Sequence, residues 1–148
     1  MRSESHNAKR ATQMRVLALA PWAELERLTQ PFAEHPHEIM RGPEVGLVML
    51  RGRMGGSGAA FNFGEATVTR CTVKLADNTE GHAYVLGRNG EHAARAALCD
   101  ALLQTDEVQR LEWVIAGLEA SLEEQRLTEA AKAAATKVDF FTLVRGDV

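Results

Sequence analysis

A run of glycine and arginine gives this sequence its first candidate for anion binding. The run reads Arg51-Gly-Arg-Met-Gly-Gly-Ser-Gly58. Glycines let the backbone turn several N–H groups inward, and the guanidinium groups of arginine match phosphate oxygens. The run therefore predicts phosphate contact by Arg53, Gly55, Gly56 and Gly58. It lacks the Gly-Lys-Ser/Thr ending of a Walker A loop and the βαβ context of a dinucleotide fingerprint. A plain glycine turn between strands and a subunit interface therefore stay open as alternatives.

Two further sets of basic residues could contribute to such a site. Arg88 and His92 flank a predicted helix start, where free N–H groups favour anions. Arg70 and Lys74 share one face of a predicted strand, and with Arg53 and Arg88 they could form a basic face. Each of these features also has a purely structural interpretation. Arg88 could be a solvent-exposed side chain, His92 a hydrogen-bonded polar residue in the first turn of the helix, and the strand face the ordinary solvent-exposed side of a sheet.

Spacings typical of catalysis or of metal binding do not occur in the sequence. It has no His-x-x-x-His or Cys-x-x-Cys pair, and His35-Pro-His37 is short and interrupted by proline. No helix pattern follows Ser57, so the nucleophile elbow of a hydrolase is not predicted. We therefore assign no catalytic residue and no metal ligand. Cys71 and Cys99 are too far apart for a zinc knuckle, and we expect two buried, reduced thiols.

Four strands and several helices would have to position these residues. Helices are predicted over 5–20 and from Pro21 onward. Apolar alternation and turn residues predict strands over 39–41, 45–51, 67–75 and 82–86, with a turn at Gly42-Pro43-Glu44 between the first two. We expect an α+β fold in which a four-stranded antiparallel meander is flanked by N-terminal and C-terminal helices.

The C-terminal half changes to a helical period. Asn89 and Asp106 are the predicted N-caps of two helices. In the second helix, large apolar residues recur at intervals of three, four, three and four: Val108, Leu111, Ile115, Leu118 and Leu122. This seam predicts a helix that docks on its own sheet or on a partner subunit.

Residues 136–148 form an apolar tail that we predict to be an interface. Phe140 and Phe141 are two of its large apolar residues, and a soluble monomer avoids exposing such a patch. The predicted interface residues are Asp139, Phe140, Phe141, Leu143 and Arg145. We count a single domain over 1–148 and expect 1–10 to be flexible.

Composition limits the classes of function. The chain has 148 residues, of which 45% are hydrophobic and 25% charged, and its net charge is −3. This balance excludes a nucleic-acid binder that relies on bulk positive charge. No apolar run is long enough to cross a membrane, and the start lacks a signal-peptide core, so we expect a cytoplasmic protein. Aromatic residues make up only 5%, which predicts a modest core that a partner completes.

Four stretches in this order resemble the PhnG family, the G subunit of the bacterial carbon–phosphorus lyase system, which degrades phosphonates. They are Arg53-Met-Gly-Gly-Ser-Gly58, Gly64-Glu-Ala-Thr-Val-Thr-Arg70, Tyr84-Val-Leu-Gly-Arg88 with His92 following, and Thr136-Lys-Val-Asp-Phe-Phe-Thr-Leu-Val-Arg-Gly-Asp147. The resemblance spans roughly residues 10–148.

The resemblance implies a multi-subunit enzyme. A family member joins subunits H, I and J, with I as the closest partner, and subunit L is needed for the synthase step. In that step methylphosphonate attacks C1′ of the ribose of ATP and adenine leaves, which gives α-D-ribose 1-methylphosphonate 5-triphosphate. The resemblance implies no catalytic residue and no cofactor of this chain's own, with ATP as the substrate of the complex. The alternative from the residues is a free-standing anion-binding or nucleotide-binding regulatory domain.

Overall fold

The computed structural model describes residues 2–137, which form four α-helices around one antiparallel sheet. The helices are α1 (Arg2–Leu19), α2 (Trp22–Thr29), α3 (Gly90–Leu102) and α4 (Val108–Ala135), and the strands are β1 (His37–Arg53), β2 (Ala60–Leu75) and β3 (Glu80–Leu86). Short 3-10 turns occupy Gln30–Phe32 and Met54–Gly56. The predicted α+β class is confirmed. The flexibility expected for 1–10 stays a prediction.

The sheet has three strands in the order β1-β2-β3, so the predicted four-stranded meander is wrong. The segments 39–41 and 45–51 belong to the single strand β1, which pairs with β2 from His37 to Arg53. Between Arg41 and Glu44 the register shifts instead of reversing. Gly42 and Pro43 therefore form a bulge, because proline on an edge strand interrupts the ladder without ending it.

The alternation predicted for the middle strand is confirmed. Thr69, Cys71 and Val73 of β2 are buried against the helices, and Thr72 and Lys74 lie on the partly exposed outer face. This difference in burial defines an inner face of the sheet, which the helices cover, and an outer face.

Helix α3 lies close against β3 because small residues meet at their contact. A Cβ added at Gly81 would lie 2.0 Å from the carbonyl oxygen of Ala97 and 2.5 Å from the backbone nitrogen of Ala101. The core is built largely from alanine and leucine, which accords with the low aromatic content. Both Cys71 and Cys99 are buried free thiols, as predicted.

The predicted apolar seam of helix α4 packs against the core of this chain. Leu111, Ile115 and Leu118 are buried, and Val108 and Leu122 pack at the edge of the core. The helix contacts α1, α2 and α3, so the expectation that it docks on the sheet is wrong, because α1 and α3 already cover the sheet. Asp106 is not the N-cap. That position belongs to Glu107, whose side chain makes no capping hydrogen bond.

Strands β1 and β2 continue as a two-stranded ribbon beyond the rest of the sheet. The last pair that includes β3 is Val68 with Leu86, but β1 and β2 stay paired as far as Arg53 with Ala60. From Val68 to Ala60 the ribbon extends by roughly 26 Å, at about 3.3 Å per residue. We call residues 45–66 the arm.

Candidate functional site

The glycine run forms the tip of the arm. Gly55 and Gly56 adopt φ of 61° and 78°, which favour glycine. The backbone nitrogen of Gly58 donates to the carbonyl oxygen of Met54 at 3.0 Å, and Nη1 of Arg53 donates to the carbonyl oxygen of Gly58 at 3.1 Å. The tip is thus a tight turn that Arg53 fastens.

An open depression lies beside this tip. It has a volume of about 300 Å³ and is lined by Arg51, Gly52, Arg53 and Ala60. Two guanidinium groups at one depression are compatible with an anion, since arginine forks match phosphate oxygens. The depression is shallow, however, and lies at the end of the molecule, on the arm.

The predicted basic face of the sheet is ion-paired. Nε of Arg70 lies 2.6 Å from Oε1 of Glu44, and Nε of Arg41 lies 2.9 Å from the same oxygen. The hydrogen bond with Glu44 raises the pKa of the Arg70 guanidinium. Lys74 pairs with Glu38 at 3.6 Å. Arg70 and Lys74 thus each have an acidic partner from β1, although Arg70 shares Glu44 with Arg41.

The start of α3 is built into the core. As predicted, Asn89 is the N-cap, and its side chain accepts a hydrogen bond from the backbone nitrogen of His92 at 3.0 Å. His92 is 5% exposed, and Nε2 of its ring donates to the carbonyl oxygen of Leu17 at 2.8 Å. Trp22 packs against the same ring, at 5.9 Å between centroids. This is the arrangement of a satisfied core histidine, whereas Arg88 is exposed.

The structure separates the predicted anion-binding residues at the tip of the arm from the others. Arg70 lies ten residues along β2 from Ala60 at the tip, which corresponds to roughly 33 Å. Arg53, Gly55, Gly56 and Gly58 are therefore remote from Arg70, and from the helix start where Arg88 and His92 lie. The predicted interface residues Asp139, Phe140, Phe141, Leu143 and Arg145 lie outside the described residues.

Sequence reasoning missed a buried ion pair that joins α1 to the sheet and α3. Asp100 is 1% exposed and accepts from Arg10 at both oxygens, at 3.0 Å and 2.8 Å. Its Oδ2 also accepts from the backbone nitrogen of His82 at 2.9 Å. The signal was an aspartate in the middle of an apolar helix. Its role is structural, because its acceptor oxygens are used within the fold.

The second missed feature is the apolar arm. Val45, Leu47 and Met49 alternate along β1 and are exposed, as are Phe61 and Phe63 on β2. The sequence signal was the apolar run at 45–50, which predicts a strand but does not show that one of its faces is left uncovered.

The region from residue 2 to residue 137 provides no cluster of three or more His, Cys, Asp or Glu side chains placed to hold a metal ion. Within the same range, no helix has the length and apolarity to cross a lipid bilayer.

Comparison with known proteins places the chain in a family. The model of the family described as "Phosphonate metabolism protein PhnG" matches residues 8–146. The chain belongs to the PhnG family. It is 45% identical over 145 residues to the alpha-D-ribose 1-methylphosphonate 5-triphosphate synthase subunit PhnG of Rhizobium meliloti (strain 1021), an alignment that covers 95% of this chain and 91% of that relative.

The PhnG match confirms the resemblance inferred from the four sequence stretches. It runs through both features that sequence reasoning missed, the Arg10–Asp100 pair and the arm, and it also covers the tail up to residue 146. The matched region thus includes nearly the whole described fold and is not limited to one short motif.

Proposed function

We propose that this PhnG-family chain is a non-autonomous subunit of α-D-ribose 1-methylphosphonate 5-triphosphate synthase. The observation that carries the proposal is the 45% identity to a subunit of that name over nearly the full length of both chains. The chain therefore serves phosphonate catabolism as part of a transferase.

In the proposed reaction, an oxygen of methylphosphonate attacks C1′ of the ribose of ATP. A C–O bond forms, the bond between C1′ and the adenine nitrogen breaks, and adenine leaves with that electron pair. The triphosphate stays on the ribose. We assign none of these steps to a residue of this chain, which has no cofactor of its own and meets ATP only as the substrate of the complex.

The proposed partners are subunits H, I and J, with I as the closest, and subunit L for the synthase step. Neither a nucleic acid nor a membrane is among them, and we propose a cytoplasmic location. Two observations support an assembly role. The anion-binding candidates at the tip of the arm lie far from those near the start of α3, and the arm exposes large apolar side chains.

The experiment is a reconstitution in which subunits H, I and L are combined with ATP and methylphosphonate, with and without this chain. We expect the methylphosphonate ester of the ribose triphosphate to form only in the complete mixture, measured by phosphorus NMR. Equal formation of this ester without this chain would refute the proposal.

A second candidate function is suggested by the depression that Arg51 and Arg53 line, namely nucleotide binding by the chain itself. Calorimetry of the isolated chain with ATP distinguishes the two candidates. A free-standing nucleotide-binding domain would give heat that Arg53→Ala and Arg88→Ala each reduce, whereas we expect no binding outside the complex.

A further inference from the structure

The arm has an apolar face that continues the inner face of the sheet. Residues that pair directly across antiparallel strands point to the same side, and residues alternate sides along a strand. Val45 pairs with Thr69, which is 1% exposed beneath the helices. Leu47 and Met49 follow on the same side, so the inner face extends along the arm.

Along the arm this inner face is uncovered. The exposed fractions of Val45, Leu47 and Met49 are 48%, 64% and 59%. The covering layer ends beside them, because α3 begins at Gly90, where an added Cβ would lie 3.2 Å from Cβ of Pro43. The helix then runs back toward Gly81, away from the arm. The sheet is longer than the helix layer that buries it.

The reverse side of the arm is also apolar. The rings of Phe61 and Phe63 meet edge to face, with centroids 6.2 Å apart. Gly52 makes room for them, since a Cβ there would lie 3.0 Å from Cε1 of Phe63. A two-stranded hairpin by itself is marginally stable in water, and a large exposed apolar patch marks an interaction surface.

The charges on the arm indicate what kind of surface fits it. Continued alternation along β1 places Arg51 and Arg53 on the same side as Leu47, just past the apolar residues. Glu65, which pairs with Met49, is the one acidic residue within 45–66. A second copy that docked through the same arm would bring the same two arginines with a single acid, whereas an acidic partner surface would neutralise them.

We infer that the inner face of the arm, Val45-Leu47-Met49 followed by Arg51 and Arg53, is the docking surface for a different subunit of the synthase. That subunit lays an apolar element across Val45, Leu47 and Met49 and places acidic side chains opposite the two arginines. The inference rests on the proposed function and specifies the part of this chain that makes the assembly.

The test is co-expression of the full-length chain with subunits H, I and J, followed by affinity purification through a tag on subunit I. The test variant is Leu47→Asp. The matched control is Leu127→Asp, because Leu127 is the same residue type with a similar exposed fraction, 56%, on the exposed end of α4. Both side chains are exposed, so we expect both variants to keep the circular dichroism spectrum and melting temperature of the parent chain.

We expect Leu47→Asp to lower the amount of this chain retained by the complex at least tenfold and Leu127→Asp to leave it unchanged. The variant Arg51→Glu should also lower retention, and more strongly at low salt. Light scattering of the isolated parent chain should give a monomer.

The outcomes separate the two proposals. If the parent chain is not retained by the other subunits, both the proposed function and the inference fail. If it is retained and Leu47→Asp is retained equally, only the inference fails. Equal losses from Leu47→Asp and Leu127→Asp would also overturn the assignment to the arm, as would a dimer of the isolated chain that Leu47→Asp dissociates.

Discussion

At the scale of single residues, Asp100 fastens α1 to the rest of the fold. Its carboxylate is buried, and it accepts two hydrogen bonds from Arg10 and one from the backbone of His82. The same contact raises the pKa of the Arg10 guanidinium. Three segments that are distant in sequence therefore meet at one side chain.

We expect Asp100→Ala to lower the free energy of unfolding by about 2–4 kcal/mol, because it leaves the His82 N–H unsatisfied and Arg10 without its partner. Urea unfolding measures the change. Glu112→Ala is the control. Glu112 of α4 pairs with Lys9, which lies in α1 next to Arg10, but both of these side chains are exposed. Exposed pairs contribute little. An equal loss in the two variants would contradict the role given to Asp100.

Cys99 illustrates how burial controls chemistry at one residue. It is fully buried, and desolvation raises the pKa of its thiol from 9.0 to about 12. Above pH 9 the unfolded chain therefore releases this proton while the folded chain retains it. The free energy of unfolding should fall as pH rises from about 9 to 12.

We expect Cys99→Ala to make that fall shallower by up to about 1.4 kcal/mol per pH unit, the value for one proton. Urea unfolding at several pH values between 7.5 and 10.5 measures the slope. At pH 7.5 the thiol is neutral in both the folded and the unfolded chain. The dependence of the unfolding free energy on pH should therefore be the same there for Cys99→Ala and the parent chain. If the unfolding free energy of Cys99→Ala falls as steeply with pH near pH 10 as that of the parent chain, the raised pKa of the Cys99 thiol is refuted.

At the scale of elements, the contact between β3 and α3 depends on the absence of a side chain. An added Cβ at Gly81 would overlap the backbone of α3 at Ala97 and Ala101. A helix backbone cannot yield as the end of a flexible side chain can. The element pair that completes the core therefore has one position where glycine is required.

We expect Gly81→Ala to destabilise the fold by about 3 kcal/mol, since it forces α3 away from the sheet. Thermal or urea unfolding measures the change. Gly46→Ala is the control, because Gly46 also lies in a strand but an added Cβ there would meet no atom within 4 Å. A Gly81→Ala variant as stable as Gly46→Ala would show that the contact is looser than described.

At the scale of the whole molecule, the fold leaves apolar surface for other chains to cover. The arm provides one such surface, and the sequence predicts a second interface in the tail at 136–148, most of which lies outside the described residues. Interfaces between permanent partners resemble a domain core that has been divided. A chain with 5% aromatic residues that exposes Phe61, Phe63 and Trp113 fits this description.

We expect Phe140→Ala and Phe141→Ala each to weaken assembly with subunit I by about 2–4 kcal/mol, because large aromatic anchors dominate interfaces. Surface plasmon resonance with immobilised subunit I measures the affinity. Thr142→Ala is the control within the same segment and should change little. Unchanged affinity in both phenylalanine variants would show that the tail is peripheral.

The sequence by itself determined the features that depend on local pattern. The alternation over 67–75, the cap at Asn89 and the apolar seam of α4 follow from spacings of a few residues, which the backbone geometry of a strand or a helix turns directly into faces. The α+β class follows from these elements. Motifs in four stretches likewise indicated the PhnG family, because family membership is a property of the sequence.

Only the tertiary structure decided which contacts these elements make with one another. Whether Gly42-Pro43 turns the chain or bulges depends on β2, which stays paired on both sides of it. Arg70 looks free in the sequence, but Glu44 from the neighbouring strand forms an ion pair with it. His92 flanks a helix start, but Leu17 and Trp22 enclose it. Apolar alternation places Leu47 on a face, but the position of α3 leaves that face open. In each case the deciding contact joins residues distant in sequence, and local periodicity carries no information about such contacts.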